Sequence, residues 1–388
     1  MTTRRPLARR PLVAARRCIT YPRVEDALAA SLADLGLSDV FAGKLVALKV
    51  NLMHGTAPDE ARTTHPEFLR AVIRIVHAAG GRARVVESSG IIGFTNEVLE
   101  ATGVAAVARE EGAEVCNLDA GPFDRLPIPE GRILKEILVS RQLLDCDLRV
   151  TLPKLKTHDL TTLTCALKNQ VGIMPGGTKC AMHKRADTPA KLGEGVVDIA
   201  LAAPFDLALV DAVVGLHGGG SRDGRPIRSG FVAAGTDLVA VDAACGALVG
   251  IPPEDVEATA AAARRGLGEA RLDHITLTGL PSFRPLVYFD RAGWDAKRLA
   301  PIARAAYHLR ETLVRPVVDR DLCTQCEDCL DICPTNAIAK TPWPTLSEAC
   351  LYCHACREVC PTGAMKAGVR PLMKPVLRMR ARGLTLEL

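Results

Sequence analysis

Eight of the fourteen cysteines fall between positions 323 and 360, and their spacing is regular. Cys323, Cys326, Cys329 and Cys333 follow the pattern Cys-x2-Cys-x2-Cys-x3-Cys-Pro, and Cys350, Cys353, Cys356 and Cys360 repeat it 27 residues later. The repeat extends past the sulfurs, because Pro334-Thr335 matches Pro361-Thr362, Ala337 matches Ala364, and Met365 answers Ile338. Two half-modules related by a pseudo-two-fold axis are therefore expected. Two-residue gaps let one tight loop bring three thiolates to a single metal centre while its amides point at the sulfurs. Paired Cys-x2-Cys units also serve zinc, which takes four ligands per site. A doubled three-plus-one grouping, each closed by proline, is not the usual zinc spacing and favours iron-sulfur cubanes. Each cubane then draws its fourth thiolate from outside the tight loop.

Over residues 317 to 367 the chain resembles the bacterial two-cluster ferredoxin family, with no departure from its ligand pattern. The resemblance implies two [4Fe-4S] clusters and movement of single electrons. It also implies crossed ligation, in which the cysteine before each proline serves the opposite cluster. Cys323, Cys326, Cys329 and Cys360 would hold one, and Cys350, Cys353, Cys356 and Cys333 the other. A unit this small has little core, so the metal would supply much of its folding energy. The remaining cysteines, Cys18, Cys116, Cys146, Cys165, Cys180 and Cys245, are scattered and read as small buried hydrophobes.

A second concentration of chemistry lies upstream. The chain has 36 arginines against 13 lysines, yet residues 150 to 184 hold Lys154, Lys156, Lys168, Lys179 and Lys184 and no arginine. An ammonium is a compact, mobile charge whose pKa shifts on burial, whereas a guanidinium stays charged in a fixed fork. The bias points to a site that uses ammonium groups, although a solvated lysine-rich surface would give the same count. Lys154, Lys156 and His158 follow a predicted strand, Lys168-Asn169-Gln170 comes next, and a Gly-rich turn is expected at Gly176-Gly177. Loops after strand ends in α/β sheets are where ligands bind, and an anion is the natural ligand here. Lys49 and Asn51 end another predicted strand, and Thr64-His65-Pro66 opens a helix whose amino end could take an anion. The expected assignment has Lys49, Lys154, Lys156, Lys168 and Lys184 holding the anion and Asn51 and Asn169 orienting it, with His158, which would supply a proton, and Lys156 in catalysis. Asp211, Asp237 and Asp242 read as caps and turn formers.

The elements that must position these groups alternate. From Leu12 to about Pro281, short β-rich runs are followed by Ala/Leu-rich helical stretches, the mark of an α/β layered domain. Strands are predicted at Leu12–Cys18, Leu45–Val50, Ala83–Glu87, Leu148–Leu152, Leu207–Val210 and Phe231–Ala234. Helices are predicted at Val24–Leu35, Pro66–Ala79, Asn96–Glu111, Val239–Leu248 and Glu254–Arg265. The expected division is an α/β domain over 1–283, a connector over 284–316, a small α+β ferredoxin-like domain over 317–370 and a basic tail over 371–388.

The stretches VALKVNLM, THPEFLRAVI, PKLKTHDLTTLTCALKN, LVDAVVGLHGGGSRDGRP and AAGTDLVAVDAACGALVG resemble the α/β family known as domain of unknown function family 362. Its members often carry a C-terminal ferredoxin module. Where the family would have Gly-Asp-Ser-Pro-Gly this chain has Val86-Glu87-Ser88-Ser89-Gly90, so the resemblance assigns Glu87 no role.

Composition narrows the rest. With 48% apolar and 24% charged residues the chain is an ordinary globular protein. A net charge of +5 and only 4% aromatic residues leave little for stacking on bases, so nucleic acid is not an expected partner. No apolar run is long enough to span a bilayer. The two Arg-Arg pairs before Cys18 mimic an export signal, but Arg16 and Arg17 interrupt the apolar stretch such a signal needs. Clustered cysteines without a leader suggest a reducing, cytoplasmic setting. The expected function is an oxidoreductase that passes electrons from the clusters to a small anionic substrate. No dinucleotide or phosphate-loop motif is present, so a ferredoxin, flavodoxin or reductase would supply the electrons. A non-catalytic electron carrier or assembly protein, or a non-redox enzyme with structural or sensing clusters, are the alternatives.

Overall fold

The computed structural model describes residues 10–89, 95–158, 160–220, 224–291, 314–331, 333, 336–350, 355–358 and 360–369. Twelve strands belong to the large domain: β1 Leu12–Arg17, β2 Leu45–Lys49, β3 Arg82–Glu87, β4 Glu114–Asn117, β5 Phe123–Pro127, β6 Glu136–Ser140, β7 Leu148–Thr151, β8 Lys154–His158, β9 Thr162–Thr164, β10 Leu207–His217, β11 Arg225–Gly235 and β12 Thr276–Thr278. Ten of them form one mixed sheet in the order β12-β1-β11-β10-β7-β2-β3-β4, with β8 on the far part of β10 and β9 beside β8. The β10-β7-β2-β3-β4 half is parallel, and β11 runs antiparallel to both β1 and β10.

Strand periodicity divides the side chains between two cores. In β2, Ala47 joins one core while Val46 and Leu48 join the other; in β10, Ala208, Val210 and Ala212 separate from Leu207, Leu209 and Val213 in the same way. Helices Val24–Asp34 and Pro66–Ala78 cover one face, and Pro189–Ala202, Leu238–Leu248 and Glu257–Arg264 cover the other. Burial on both faces is why these strands read as continuous apolar runs.

Several elements differ from the sequence expectation. The stretch Asn96–Glu111 is two helices, Thr95–Ala101 and Val104–Glu110, because Gly103 adopts a φ of 76° that a helix interior does not accept. Strands β10 and β11 extend well beyond Leu207–Val210 and Phe231–Ala234, each to eleven residues. Pro153 is followed by a strand, not a loop: β8 pairs parallel with β10 and antiparallel with β9. The expected turn at Gly176-Gly177 is the first turn of the helix Gly176–Arg185.

In the C-terminal unit, β13 Val314–Val318 pairs antiparallel with β16 Met365–Val369, and β14 Ile338–Thr341 pairs with β15 Trp343–Leu346. Exchanging the halves turns one pair into the other, which is the two-fold relation that the cysteine repeat demands. Each half carries a short helix, Asp328–Asp331 and Ala355–Glu358. This unit docks on the β5–β6 hairpin, where Leu138 and Phe123 pack with Cys329, Cys333, Cys356 and Met365. Arg125 adds a hydrogen bond from Nη2 to the Asp331 carbonyl at 3.3 Å.

Candidate functional site

The C-terminal ends of parallel strands β2, β3 and β7 converge on one buried polar centre. Lys49, the last residue of β2, places Nζ 2.7 Å from Glu87 Oε1 at the end of β3, and both side chains are shut off from solvent. Glu87 also accepts the Leu52 amide at 2.8 Å and the Ser88 amide at 2.9 Å, so its carboxylate is fully engaged. The pair rests on Gly172, where an added Cβ would lie 2.5 Å from Glu87 Oε1 and 2.6 Å from Lys49 Nζ. Glycine is therefore required there by close approach. The Val86–Ser89 segment that departs from the family pattern thus supplies a structural carboxylate, a role for Glu87 that sequence reasoning did not assign.

Around this pair the expected residues divide into two groups. Lys154 is completely buried, 2.9 Å from both Asp211 Oδ2 and the Tyr21 hydroxyl. Asp211 also accepts the backbone amide of His65 at 3.0 Å, and His65 stacks on the Tyr21 ring at 3.6 Å. The ammonium of Lys154 is consumed by this arrangement, which corrects its expected place as an anion ligand. Lys49 is corrected on the same ground, since its charge serves Glu87. The amino end of the Pro66–Ala78 helix is not open to an anion either: His65 Nδ1 accepts the Glu67 amide at 3.1 Å and caps it. Asp237 caps the Leu238–Leu248 helix through the Ala240 amide at 2.9 Å, and Asp242 accepts the Ala166 amide at 2.6 Å, as expected of structural carboxylates.

The second group gathers into a cationic cluster. Lys156, two residues from Lys154 and on the same face of β8, donates to the Arg62 carbonyl at 2.8 Å. Burial, with Lys168, Lys154 and Lys49 acting the same way against Glu87, lowers its pKa to about 7. Burial and Lys179 bring Lys168 to about 8. Lys179 reaches from the Gly176–Arg185 helix to the Ser88 carbonyl, and to Ser88 Oγ at 2.6 Å. His158 Nδ1 accepts the Leu160 and Thr161 amides at 3.1 and 3.2 Å, which leaves the proton of the neutral ring on Nε2. Burial, then Lys168, His183 and Lys156, hold its pKa well below the usual histidine value. His183, missed from the sequence, joins the cluster, and burial with Lys168 and Lys179 lowers it to about 3. Asn51 and Asn169 meet at 2.9 Å. The side chain of Lys184 lies outside the described residues.

One of the two expected cysteine quartets comes together. Cys323, Cys326, Cys329 and Cys360 line one cavity, the quartet expected from crossed ligation. Within that loop Gln325 and Glu327 have left-handed φ values of 59° and 72°. Alternating handedness of this kind turns successive amides into a concavity suited to an anionic iron-sulfur core. Burial, then the thiolates of Cys326, Cys323 and Cys360, push Cys329 up to about 11. With a cluster bound, the metal charge would take the place of the protons on the four thiols lining this cavity. Of the second quartet, Cys333, Cys350 and Cys356 lie in one apolar cluster, while Cys353 is outside the described residues.

The two centres meet through one helix of each. The helix Ala355–Glu358, which bears Cys356, packs against the helix Gly176–Arg185, which bears Lys179 and His183.

Residues 46–247 match the family model described as Domain of unknown function (DUF362), a little over half of the chain. The chain belongs to this family. Beyond the family 362 region, residues 315–338 and 346–366 each match a 4Fe-4S binding domain. A relative, the thylakoid-associated protein sll1697 of Synechocystis sp., is 30% identical over 226 residues, which is 58% of this chain and 69% of that protein. Among solved structures, the lactate racemase apoprotein from Thermoanaerobacterium thermosaccharolyticum aligns with a TM-score of 0.42 and 14% identity, over 63% of this chain and 58% of that one. No helix among the described residues of this family 362 protein is long and apolar enough to cross a membrane.

Proposed function

We propose that the protein is an oxidoreductase that uses electrons from a two-cluster [4Fe-4S] module to convert a small anionic substrate at the lysine cluster. The observation that carries this reading is the contact between the Cys356 helix and the Lys179/His183 helix, which sets the two centres side by side. When bound, the clusters supply one-electron transfer, held by Cys323, Cys326, Cys329 and Cys360 and by Cys350, Cys353, Cys356 and Cys333. An external protein such as a ferredoxin, flavodoxin or reductase supplies the electrons.

The chain's own residues bind the substrate and move a proton. Lys168 and Lys179 attract the oxyanion in a buried setting where charge interactions are strong. A pKa of about 7 makes Lys156 the general acid, because such a group holds its proton near neutrality yet releases it readily. His158, kept neutral, orients the substrate through its Nε2–H, so the proton-supplying role expected of it passes to Lys156.

Lys156→Met should reduce reductant-dependent turnover by about 100-fold or more, with cluster absorbance and paramagnetic signals unchanged. Cluster-free protein that kept its turnover would overturn the redox reading. The pH dependence follows from the sign of the Lys156 shift. Below about pH 7 it is an ammonium, and above that value it is neutral. Anion affinity measured by calorimetry should therefore be greatest below pH 7 and fall as the pH rises through 7 to 8.

A further inference from the structure

Close to the lysine cluster, one buried acceptor is left without a hydrogen-bond partner among the described residues. Asn169 Nδ2 donates to the Lys49 carbonyl at 3.1 Å and to Thr151 Oγ1 at 2.9 Å. A carbonyl only accepts, so the Asn169 amide has one possible orientation, with Oδ1 toward Asn51. Asn51 must then present Nδ2 to it, at 2.9 Å. This leaves Asn51 Oδ1 buried and without a hydrogen-bond partner among the described residues. The buried hydroxyl of Thr63 is in the same condition. The 62–64 segment ties them to Lys156: the Asn51 backbone N–H donates to Thr64 Oγ1 at 2.8 Å, and Lys156 Nζ donates to the Arg62 carbonyl at 2.8 Å. Native proteins leave few buried polar atoms unpaired, and a bound ligand is one reason for an exception.

We propose, taking the lysine cluster as the substrate site, that its ligand is a small oxyanion carrying a neutral hydrogen-bond donor: a hydroxy-carboxylate rather than a plain carboxylate. The oxyanion meets Lys156 and Lys168, and the hydroxyl donates to Asn51 Oδ1. An ammonium donor is excluded by repulsion from Lys156, Lys168 and Lys179. A second carboxylate is excluded because it would set an acceptor against an acceptor.

The test compares glycolate with acetate, which differ by one hydroxyl, by isothermal titration calorimetry on anaerobically reconstituted full-length protein. Glycolate should bind about tenfold more tightly, since acetate leaves the Asn51 oxygen unpaired. Asn51→Ala should bring the ratio close to one while acetate affinity stays, and Lys168→Met should weaken both ligands alike. Equal binding of the two acids by the wild-type protein would overturn the donor requirement and leave the anion site standing. Failure of both acids to bind would overturn the anion site as well. The wild-type comparison needs no substitution, so it decides the matter even if Asn51→Ala folds poorly.

Discussion

Replacing Lys154 with methionine lowers the unfolding free energy by about 3–5 kcal/mol, the cost of leaving one half of a buried ion pair without its partner. Asp211 would keep the Tyr21 hydroxyl at 3.4 Å and the His65 amide at 3.0 Å, neither of which neutralises its charge. Burial of a fixed negative charge is what makes the loss large. The double variant Lys154→Met/Asp211→Asn should recover most of it, because the charge that lacked a partner is removed too. Chemical denaturation of the full-length protein measures both. A loss below about 1 kcal/mol in the single variant would place Lys154 outside the structural framework.

Cys360→Ala should remove one cluster and leave the other. If ligation is crossed, Cys360 serves the loop of Cys323, Cys326 and Cys329, so iron content falls from roughly eight to roughly four atoms per chain. Cys323→Ala should give the same spectrum, although the two residues are far apart in sequence. Cys350→Ala should delete the other signal. Because metal binding and folding are coupled in so small a unit, each variant should also unfold more readily on chelation, which circular dichroism would follow. Loss of the Cys350 signal in Cys360→Ala would show uncrossed ligation.

The cysteine module was legible almost entirely from sequence. Cluster ligation imposes fixed residue types at fixed spacing, and the 27-residue repeat already contained the symmetry by which β13 pairs with β16 and β14 with β15. The main strands and helices were legible as well, since burial on both faces writes itself as apolar runs bounded by polar breaks. The lysine cluster was legible as a region but not as a set of roles. Residue type alone does not say whether an ammonium at 49, 154 or 156 finds a carboxylate. That depends on β10 bringing Asp211 alongside Lys154 and on β3 bringing Glu87 alongside Lys49, pairings between residues far apart in the chain. His183 was missed because a lone histidine on a short polar helix carries no periodic signal. β8 was read as a loop because Pro153 and two lysines look like a break, and only the partner strands β9 and β10 make it a strand.

That strand has a bearing on discrimination. Lys156 and His158 leave the same side of the regular ladder that β8 forms with β9, about 6.5–7 Å apart. A ladder does not stretch to suit its guest, so in the proposed site this strand would fix the distance between the Lys156 and His158 contacts. The cost of ordering these groups is met once, when the chain folds, rather than at every encounter. On that reading, guests of the wrong length would be refused by geometry, with no moving part required.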